Sequence, residues 1–297
     1  MTEIDFSCKH NILLQDEEGI RVPMDEPYYR IYEIAADTWR ILSDGDYSYL
    51  LNADDEAILI DSGYGAGNIR EWCERFLNKP VSKIINTHDH FDHTANNCYF
   101  DLAYMAEESV PLATRPFPSF DGITFPRDYP VQVVSDGEMI PFRGRDLQVF
   151  KIPDHAVGSI VILDRKRRIL FCGDEMGMPF GKPLNGTVAH WAELMEKLVP
   201  YRSEYDTIWG GAGKADPDFV EKTLENCRRI LAGEEGEVYC RPPFNAWEET
   251  AEDGRTVWKR RLPHPGDGPS DWEDESAWTR KLGDGPCGVI YDKRKIR

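Results

Sequence analysis

Four side chains able to bind metal ions stand close together in one short stretch of the chain. The segment Ile85 to His93 reads INTHDHFDH, and the four side chains are His88, His90, Asp92 and His93. Residues two apart in an extended chain point the same way, so His88 and His90 can face one point. Asp92 and His93, just beyond, can turn toward a second point nearby. Because imidazole and carboxylate are ligands of zinc, iron and manganese, the stretch predicts a metal centre.

The elements around this cluster follow a pattern of short apolar strands alternating with amphipathic helices. Such alternation is typical of sheets covered by helices, an α/β fold class. The segment SKIINTH is predicted to be a strand that delivers the histidines at its carboxyl end. Other strands are predicted at Ala57 to Asp61, Leu147 to Pro153, Ser159 to Asp164, Ile169 to Asp174 and Tyr205 to Gly211. Helices are predicted up to Asn78, from Thr187 to Leu198, and from an N-cap at Asp216 through Pro217 to about Leu231.

The overall charge disfavours several classes of partner. The chain has 53 acidic and 35 basic side chains, a formal charge of −18, which repels nucleic acid phosphates and anionic membrane surfaces. Its start shows no signal-peptide pattern, and no apolar run approaches the roughly 20 residues of a membrane span. The seven cysteines are scattered singly, which favours reduced core thiols. We therefore expect a cytoplasmic protein that acts on a small molecule and binds neither nucleic acid nor membrane.

The C-terminal part differs from the rest in composition and in hydrophobic periodicity. Residues 234–297 contain four of the eight tryptophans and show little periodicity. We expect a main domain over residues 1–233 and an irregular, Trp- and Pro-rich extension over residues 234–297 that packs on it, because so much aromatic surface is costly to leave in water. The tryptophans fit either a wall of the pocket or the contact of a homodimer.

Several motifs, in order along the chain, give this sequence a family resemblance. THDHFDH matches the H-x-H-x-D-H motif of the metallo-β-lactamase superfamily. Asp61 in LIDSG resembles the aspartate of the first motif, His155 in IPDHAVGS resembles the next histidine, and Asp174 in LFCGDEM resembles the aspartate that bridges two metals. The similarity covers roughly residues 30–232, and the ordered set is far more specific than any one motif.

The resemblance implies an αββα sandwich that carries a hydrolytic metal centre at one edge. One metal would be held by His88, His90 and His155. The second would be held by Asp92 and His93 with Asp174 between the two, while Asp61 would orient the loop without binding metal. Asp92 would also relay a proton. The cofactor implied is one or two zinc ions, with iron or manganese as alternatives, and the reaction implied is hydrolysis of an ester, lactone, amide, thioester or phosphoester.

One expected ligand is missing from the sequence. Members of the family usually end the strand that corresponds to YDTIW in a Gly-His-Gly turn, whose histidine completes the second metal site. Here the turn reads Gly210-Gly211-Ala212-Gly213, and Ala212 stands where we expect that histidine. His190 could substitute for it, although a place on a helix surface is the more probable interpretation, and His264 in the extension is a weaker candidate. Ala212 is therefore predicted to weaken the second metal site more than the first.

Other functions are compatible with the same motifs. One alternative is a mononuclear iron dioxygenase similar to the persulfide dioxygenases of the superfamily, which would use His88, His155 and Asp174. Another is a degenerate binding protein that kept the fold and lost turnover. The aromatic segment from Arg115 to Pro130 lies between the cluster and His155, and it is equally compatible with a cover over an apolar substrate pocket and with a loop packed on its own aromatic side chains.

Overall fold

The computed structural model describes residues 13–15, 20–23, 29–42, 47–63, 65, 67–115, 118–120, 123–124, 126–177, 183–211, 213–239, 245–250, 256–261 and 277–297. The first strands are β1 (Leu13–Gln15), β2 (Ile20–Pro23), β3 (Arg30–Ala35), β4 (Thr38–Leu42), β5 (Tyr47–Asn52), β6 (Ala57–Ile60), β7 (Lys83–Ile85), β8 (Leu102–Ala106), β9 (Pro118–Phe120), β10 (Ile123–Thr124) and β11 (Val131–Val134). The later strands are β12 (Met139–Phe142), β13 (Arg145–Lys151), β14 (Ile160–Asp164), β15 (Ile169–Gly173), β16 (Thr207–Gly210), β17 (Gly213–Ala215), β18 (Glu237–Val238), β19 (Asn245–Thr250), β20 (Thr256–Arg261), β21 (Thr279–Leu282) and β22 (Val289–Asp292). The helices are α1 (Ile69–Leu77), α2 (Phe91–Thr94), α3 (Val110–Ala113), α4 (Val188–Leu198) and α5 (Phe219–Leu231).

Two large mixed sheets form the centre of the fold. The first has the strand order β11-β8-β7-β6-β5-β4-β3, and the second has the order β12-β13-β14-β15-β16-β17. β6, β7, β8 and β11 are parallel in the first sheet, and β15 and β16 are parallel in the second. Because the carboxyl ends of parallel strands meet at one edge of a sheet, side chains that follow β6, β7, β15 and β16 can converge.

Three apolar layers hold the sheets and helices together. The inner layer lies between the two sheets and includes Tyr49 against Phe171, with ring centroids 4.9 Å apart. An outer layer packs α1 on the first sheet through Ile69 and Cys73. The other outer layer packs α4 and α5 on the second sheet. The order of layers is therefore helix, sheet, sheet, helix, which confirms the predicted αββα sandwich.

The predicted elements lie close to those observed, with one difference at the start of α5. Thr187 caps α4 by accepting from the His190 amide at 3.1 Å, as its position in the sequence indicates. The helix predicted to begin at Asp216 begins instead at Phe219. Asp216 accepts from the Asp218 amide at 2.9 Å, so residues 216–218 form a turn before the first helical residue.

Part of the C-terminal region shares a core with the rest of the chain. Leu282, Val289 and Tyr291 are buried against the α4 and α5 layer. The region contains short strands of two to six residues, which leave little alternation for a sequence pattern to show. Other parts of the region, including His264 and Trp272, lie outside the described residues. The division at residue 233 therefore stays a prediction.

The length and composition of the helices bear on whether one could cross a membrane. In the part of the chain that the structure describes, no helix has the length and apolar composition needed to cross a bilayer.

Candidate metal centre

Asp61 begins the site in an unusual backbone conformation directly after β6. Its φ is 57°, in the left-handed region, which aspartate tolerates better than most residues. The Asp61 carboxylate is buried and accepts from the Thr87 amide and from the Thr87 hydroxyl, both at 2.7 Å. The carboxylate thus joins the end of β6 to the start of the histidine loop, as the resemblance implies.

A chain of hydrogen bonds fixes which nitrogen of the His88 and His93 imidazoles is available as a ligand. The single hydroxyl proton of Thr87 goes to Asp61, so Thr87 Oγ1 accepts from His88 Nδ1 at 3.1 Å. His93 Nδ1 lies 2.9 Å from Asp61 Oδ2 and donates to that carboxylate. Both rings therefore direct Nε2 away from these partners, and in neutral rings each Nε2 has a free lone pair.

The ligand atoms form two overlapping groups. One group consists of His88, His90 and His155, and the other consists of His88, His93 and Asp174. Within each group the ligand atoms lie within 4.8 Å of one another. His155 Nε2 lies 3.0 Å from His90 Nδ1, so these two rings face the same point. The structure thus brings the predicted histidines together from β7 of one sheet and from the β13–β14 connection of the other.

The two carboxylates of the cluster occupy different places. Asp174 lies between the groups, with Oδ1 3.5 Å from His93 Nε2 and Oδ2 3.6 Å from His155 Nε2. Asp92 lies beside the second group, with Oδ2 3.6 Å from His93 Nε2 and its side chain 24% exposed. Asp92 therefore borders both the cluster and solvent.

The cluster fits a cation because it contains buried ligand atoms that lack a hydrogen-bond partner among the described residues. His88 Nε2, His93 Nε2 and Asp174 Oδ1 are buried, and none of the described residues gives any of them a hydrogen bond. Burial, reinforced by His93, lowers the pKa of His88 well below its usual range, so that ring is neutral. Burial acts in the same direction on His93, but Asp61 and Asp174 outweigh it and raise the pKa of His93 well above its usual range. Carboxylates that favour a proton here also favour a metal ion.

Gly173 allows the second sheet to approach the histidine loop closely. Its φ is 50°, and a Cβ at this position would lie 2.4 Å from Thr87 Oγ1. The next residue is Asp174, so the contact between Gly173 and Thr87 brings the carboxylate next to the histidines. Glycine is required here both by conformation and by space.

The turn in which the sequence lacks the expected histidine is described up to Gly211, and Ala212 lies outside the described residues. β15 and β16 are parallel and pair Gly173 with Gly210, so Gly211 follows its strand as Asp174 follows the neighbouring one. A Cβ on Gly211 would lie 2.1 Å from Asp174 Oδ1 and 3.2 Å from His93 Cε1. A side chain at position 211 would therefore enter the cluster.

The other histidine considered as a substitute does not reach the cluster. His190 lies on α4 with its side chain 46% exposed, and its Nδ1 is 3.9 Å from Glu193. This agrees with the interpretation as a helix surface residue. His264 lies outside the described residues.

Three residues of the site carry no motif signal of their own. They are Thr87, Glu175 and Asn185, which contact candidate ligand residues through hydrogen bonds. Thr87 and Glu175 are direct neighbours of the candidate ligands His88 and Asp174, and that adjacency is the only signal in the sequence that could have indicated them. Asn185 comes from the loop before α4, which only the folded structure brings close.

The fold and the cluster together define a class of metal-binding α/β sandwich proteins. The family model described as the metallo-beta-lactamase superfamily matches residues 44–286, and the chain belongs to this superfamily.

Relatives in this superfamily include several hydrolases. The chain is 26% identical over 160 residues to acyl-coenzyme A thioesterase MBLAC2 of Homo sapiens, covering 42% of this chain and 56% of that protein. It is 27% identical over 149 residues to a hydroxyacylglutathione hydrolase of Idiomarina loihiensis, covering 50% and 53%. It is 25% identical over 137 residues to an atrochrysone carboxyl ACP thioesterase of Aspergillus fumigatus, covering 44% and 39%. The matches thus span about half the length of these relatives.

Solved structures show the same fold. A metallo-beta-lactamase from Pontibacter korlensis superposes with a TM-score of 0.53 and 18% identity, over 67% of this chain and 99% of that chain. The metallo-beta-lactamase FIM-1 from Pseudomonas aeruginosa, in its mono-zinc form, superposes with a TM-score of 0.54 and 20% identity, over 68% and 96%. At this identity the likeness concerns the fold.

Proposed function

We propose that this protein is a metal-dependent hydrolase of a small thioester or ester, with the reaction taking place at the cluster of His88, His90, Asp92, His93, His155 and Asp174. The observation that carries the proposal is the convergence of ligand atoms from both sheets onto two adjacent points. Three of these atoms, His88 Nε2, His93 Nε2 and Asp174 Oδ1, are buried without a hydrogen-bond partner among the described residues. Packing alone does not explain such atoms, because each costs free energy unless a ligand satisfies it.

The residues around the cluster have separable tasks. A bound divalent cation supplies a Lewis acid and lowers the pKa of a bound water. Asp61 fixes the His93 ring by accepting from Nδ1, and Thr87 fixes the His88 ring in the same way. Asp92 borders both the cluster and solvent, a place from which its carboxylate can hold a proton and pass it to water.

The thioester class is favoured by the relatives. Two are thioesterases by name, and a third is a hydroxyacylglutathione hydrolase, whose name also denotes hydrolysis of an acyl compound. Because the matches span about half of each relative, the acyl group and the thiol carrier are left open. Lactones and amides are the next classes to compare.

The next question is which metal the cluster binds and how many ions it holds. We propose zinc, with iron or manganese as alternatives, bound more tightly at the group of His88, His90 and His155. That group has three imidazoles, whereas position 211 contributes no side chain to the second group. We expect a metal titration to show one tight ion and a weaker second one, and two ions of equal affinity would contradict this.

The substrate class can be tested on the zinc-loaded protein. We expect kcat/KM for acyl thioesters to exceed that for matched oxygen esters, lactones and β-lactams, because of the relatives' substrate class. The iron-loaded protein should be assayed in parallel for oxygen uptake with a persulfide. Oxygen uptake without thioester turnover would support the dioxygenase alternative, and binding without turnover of any substrate would support a degenerate binding protein.

The compartment and the partners stay predictions. A cytoplasmic location is supported by five buried cysteine thiols, at Cys73, Cys98, Cys172, Cys227 and Cys287. The charge of −18 supports a small-molecule substrate over nucleic acid or a membrane surface. A homodimer contact through the C-terminal tryptophans likewise stays a prediction.

A further inference from the structure

The backbone around His155 is hydrogen-bonded on two sides by side chains that come from different parts of the chain. His155 lies in the connection between β13 and β14, so no strand ladder fixes its peptide groups. Glu175 lies on one side of this connection and Asn185 on the other. Glu175 hydrogen-bonds to amides of the connection, and Asn185 hydrogen-bonds to its carbonyls.

Glu175 accepts the amides of the connection. Its Oε1 lies 2.8 Å from the His155 nitrogen and 3.1 Å from the Asp154 nitrogen, and its Oε2 lies 3.0 Å from the His155 nitrogen. The Ala156 nitrogen lies at 3.5 Å from Oε1. Glu175 follows Asp174 directly, so one short segment supplies a cluster carboxylate and fixes the backbone of a cluster histidine.

Asn185 binds the carbonyls of the same residues. Its Nδ2 donates to the carbonyl of Asp154 at 2.7 Å and to that of His155 at 3.2 Å. The Asp154 carboxylate in turn accepts from the Asn185 amide at 3.1 Å and from the Gly186 amide at 2.9 Å. The connection and the loop before α4 therefore bind each other in both directions.

The C-terminal segment completes the arrangement. Lys295 Nζ donates to the Asn185 carbonyl at 3.2 Å. The carbonyl of Lys295 accepts from the first amide of α4, at Val188, at 3.0 Å, and the carbonyl of Ile296 accepts from Ala189 at 2.9 Å. The start of α4 and the loop with Asn185 are thus tied to the last residues of the chain.

We infer that Glu175 and Asn185 are positioning residues that hold His155 at the metal centre, and that the C-terminal segment supports Asn185 in this task. The inference rests on the metal centre of the proposed function, but it does not depend on the substrate. Partners that orient a ligand usually change metal affinity about 10-fold to 100-fold when they are replaced.

The test uses cobalt(II) bound to the full-length protein, since its visible spectrum reports the ligand geometry. Glu175→Gln keeps the side-chain shape and one acceptor oxygen, but it places an amide NH₂ group against the His155 N–H that Oε2 accepts at 3.0 Å. Asn185→Asp keeps the shape but directs a carboxylate at two carbonyl oxygens. We expect each variant to bind cobalt at the tighter site at least about 10-fold more weakly, with a shifted d–d spectrum. His155→Ala provides the reference for complete loss of this ligand.

Glu193→Gln is the matched control, because Glu193 is an exposed glutamate on α4 outside the cluster. It should leave both the affinity and the spectrum unchanged. Unfolding midpoints measured on all variants separate a folding defect from an effect on the site. If Glu175→Gln and Asn185→Asp fold and bind cobalt with parental affinity and spectrum, the inference is overturned while the hydrolase proposal stands. Parental protein that binds cobalt but hydrolyses none of the tested substrates would overturn the hydrolase proposal alone.

Discussion

At the scale of single residues, the candidate site is a set of hydrogen bonds that orient the imidazole rings of His88 and His93. Asp61 makes three of these bonds from one carboxylate, two to Thr87 and one to His93. The sequence motifs predicted which side chains gather, because ligand chemistry depends on residue type and spacing. They could not predict the acceptor of each ring proton, because those partners are set by the approach of two loops.

Asp61→Asn tests the orientation of His93. Asparagine also tolerates the left-handed backbone, but it offers one side-chain acceptor in place of two and carries no charge. We expect zinc affinity to fall by about 10-fold to 100-fold with only a modest change in unfolding free energy. A chelator competition assay measures this. Asp37→Asn is the control, because Asp37 also has a left-handed φ, of 54°, and its side chain pairs with Asn52 and Arg167 instead of the cluster.

Position 211 provides a second test at this scale. A side chain there would enter the cluster beside Asp174 and His93, and the φ of Gly211 lies outside the left-handed region. We expect Gly211→His to increase the amount of tightly bound zinc toward two ions per chain, with the Asp174 side chain shifting to make room while its carboxylate stays among the ligands. Ala212→His is the matched variant from the position that the motif indicates. A gain in zinc for Ala212→His alone would contradict the equivalence of Gly211 and Asp174 at the ends of β16 and β15.

At the scale of elements, most strands and helices could be predicted, because their apolar periodicity is local. The carboxyl end of β7 and the start of α4 lie close to where the sequence indicated. The N-cap of α5 was predicted at Asp216 and lies two residues later at Asp218, since Asp216 forms a turn with Asp218 instead of capping the helix. The sequence did not predict the hydrogen bonds from Glu175 and Asn185 to the His155 backbone, because these residues come together only in the folded chain.

Gly173→Ala tests the close approach of the two sheets. Alanine would add the cost of a left-handed backbone, about 1–2 kcal/mol, and a contact 2.4 Å from Thr87 Oγ1. Gly137→Ala is the control, because Gly137 has a φ of 80° and a Cβ there would meet nothing within 4 Å. Denaturant unfolding should show a larger loss of stability for Gly173→Ala, and zinc affinity should fall only in that variant. Equal losses in both variants would show that the approach to Thr87 carries no cost.

At the scale of the whole molecule, the two ends of the sandwich carry different groups of polar residues. The candidate metal cluster lies at one end, and a buried ion pair between Arg145 and Asp164 lies toward the other. Arg145 also donates to the carbonyls of Asp37 and Asn52, which ties the second sheet to turns of the first. No motif indicated this pair, because its effect depends on burial that only the assembled sheets create.

Asp164→Asn should therefore lower stability without affecting the site. It leaves Arg145 buried without a charged partner, and breaking such a pair costs about 3–5 kcal/mol. Asp55→Asn removes the carboxylate of an exposed pair with Arg143 and should cost less than about 1 kcal/mol. Denaturant unfolding of both variants with zinc titration in parallel checks this. A loss of zinc affinity in folded Asp164→Asn would contradict the separation of the two ends.

The most direct test of the central claim is thiol release from an acyl thioester by metal-free protein during stepwise addition of zinc. We expect no turnover without metal, and a rate that rises as the tighter site fills. We expect His88→Ala to abolish this rise, whereas His190→Ala, which removes an exposed histidine of α4, leaves it intact. Turnover that is independent of metal, or equally lost in both variants, would contradict the assignment of this cluster as the hydrolytic centre.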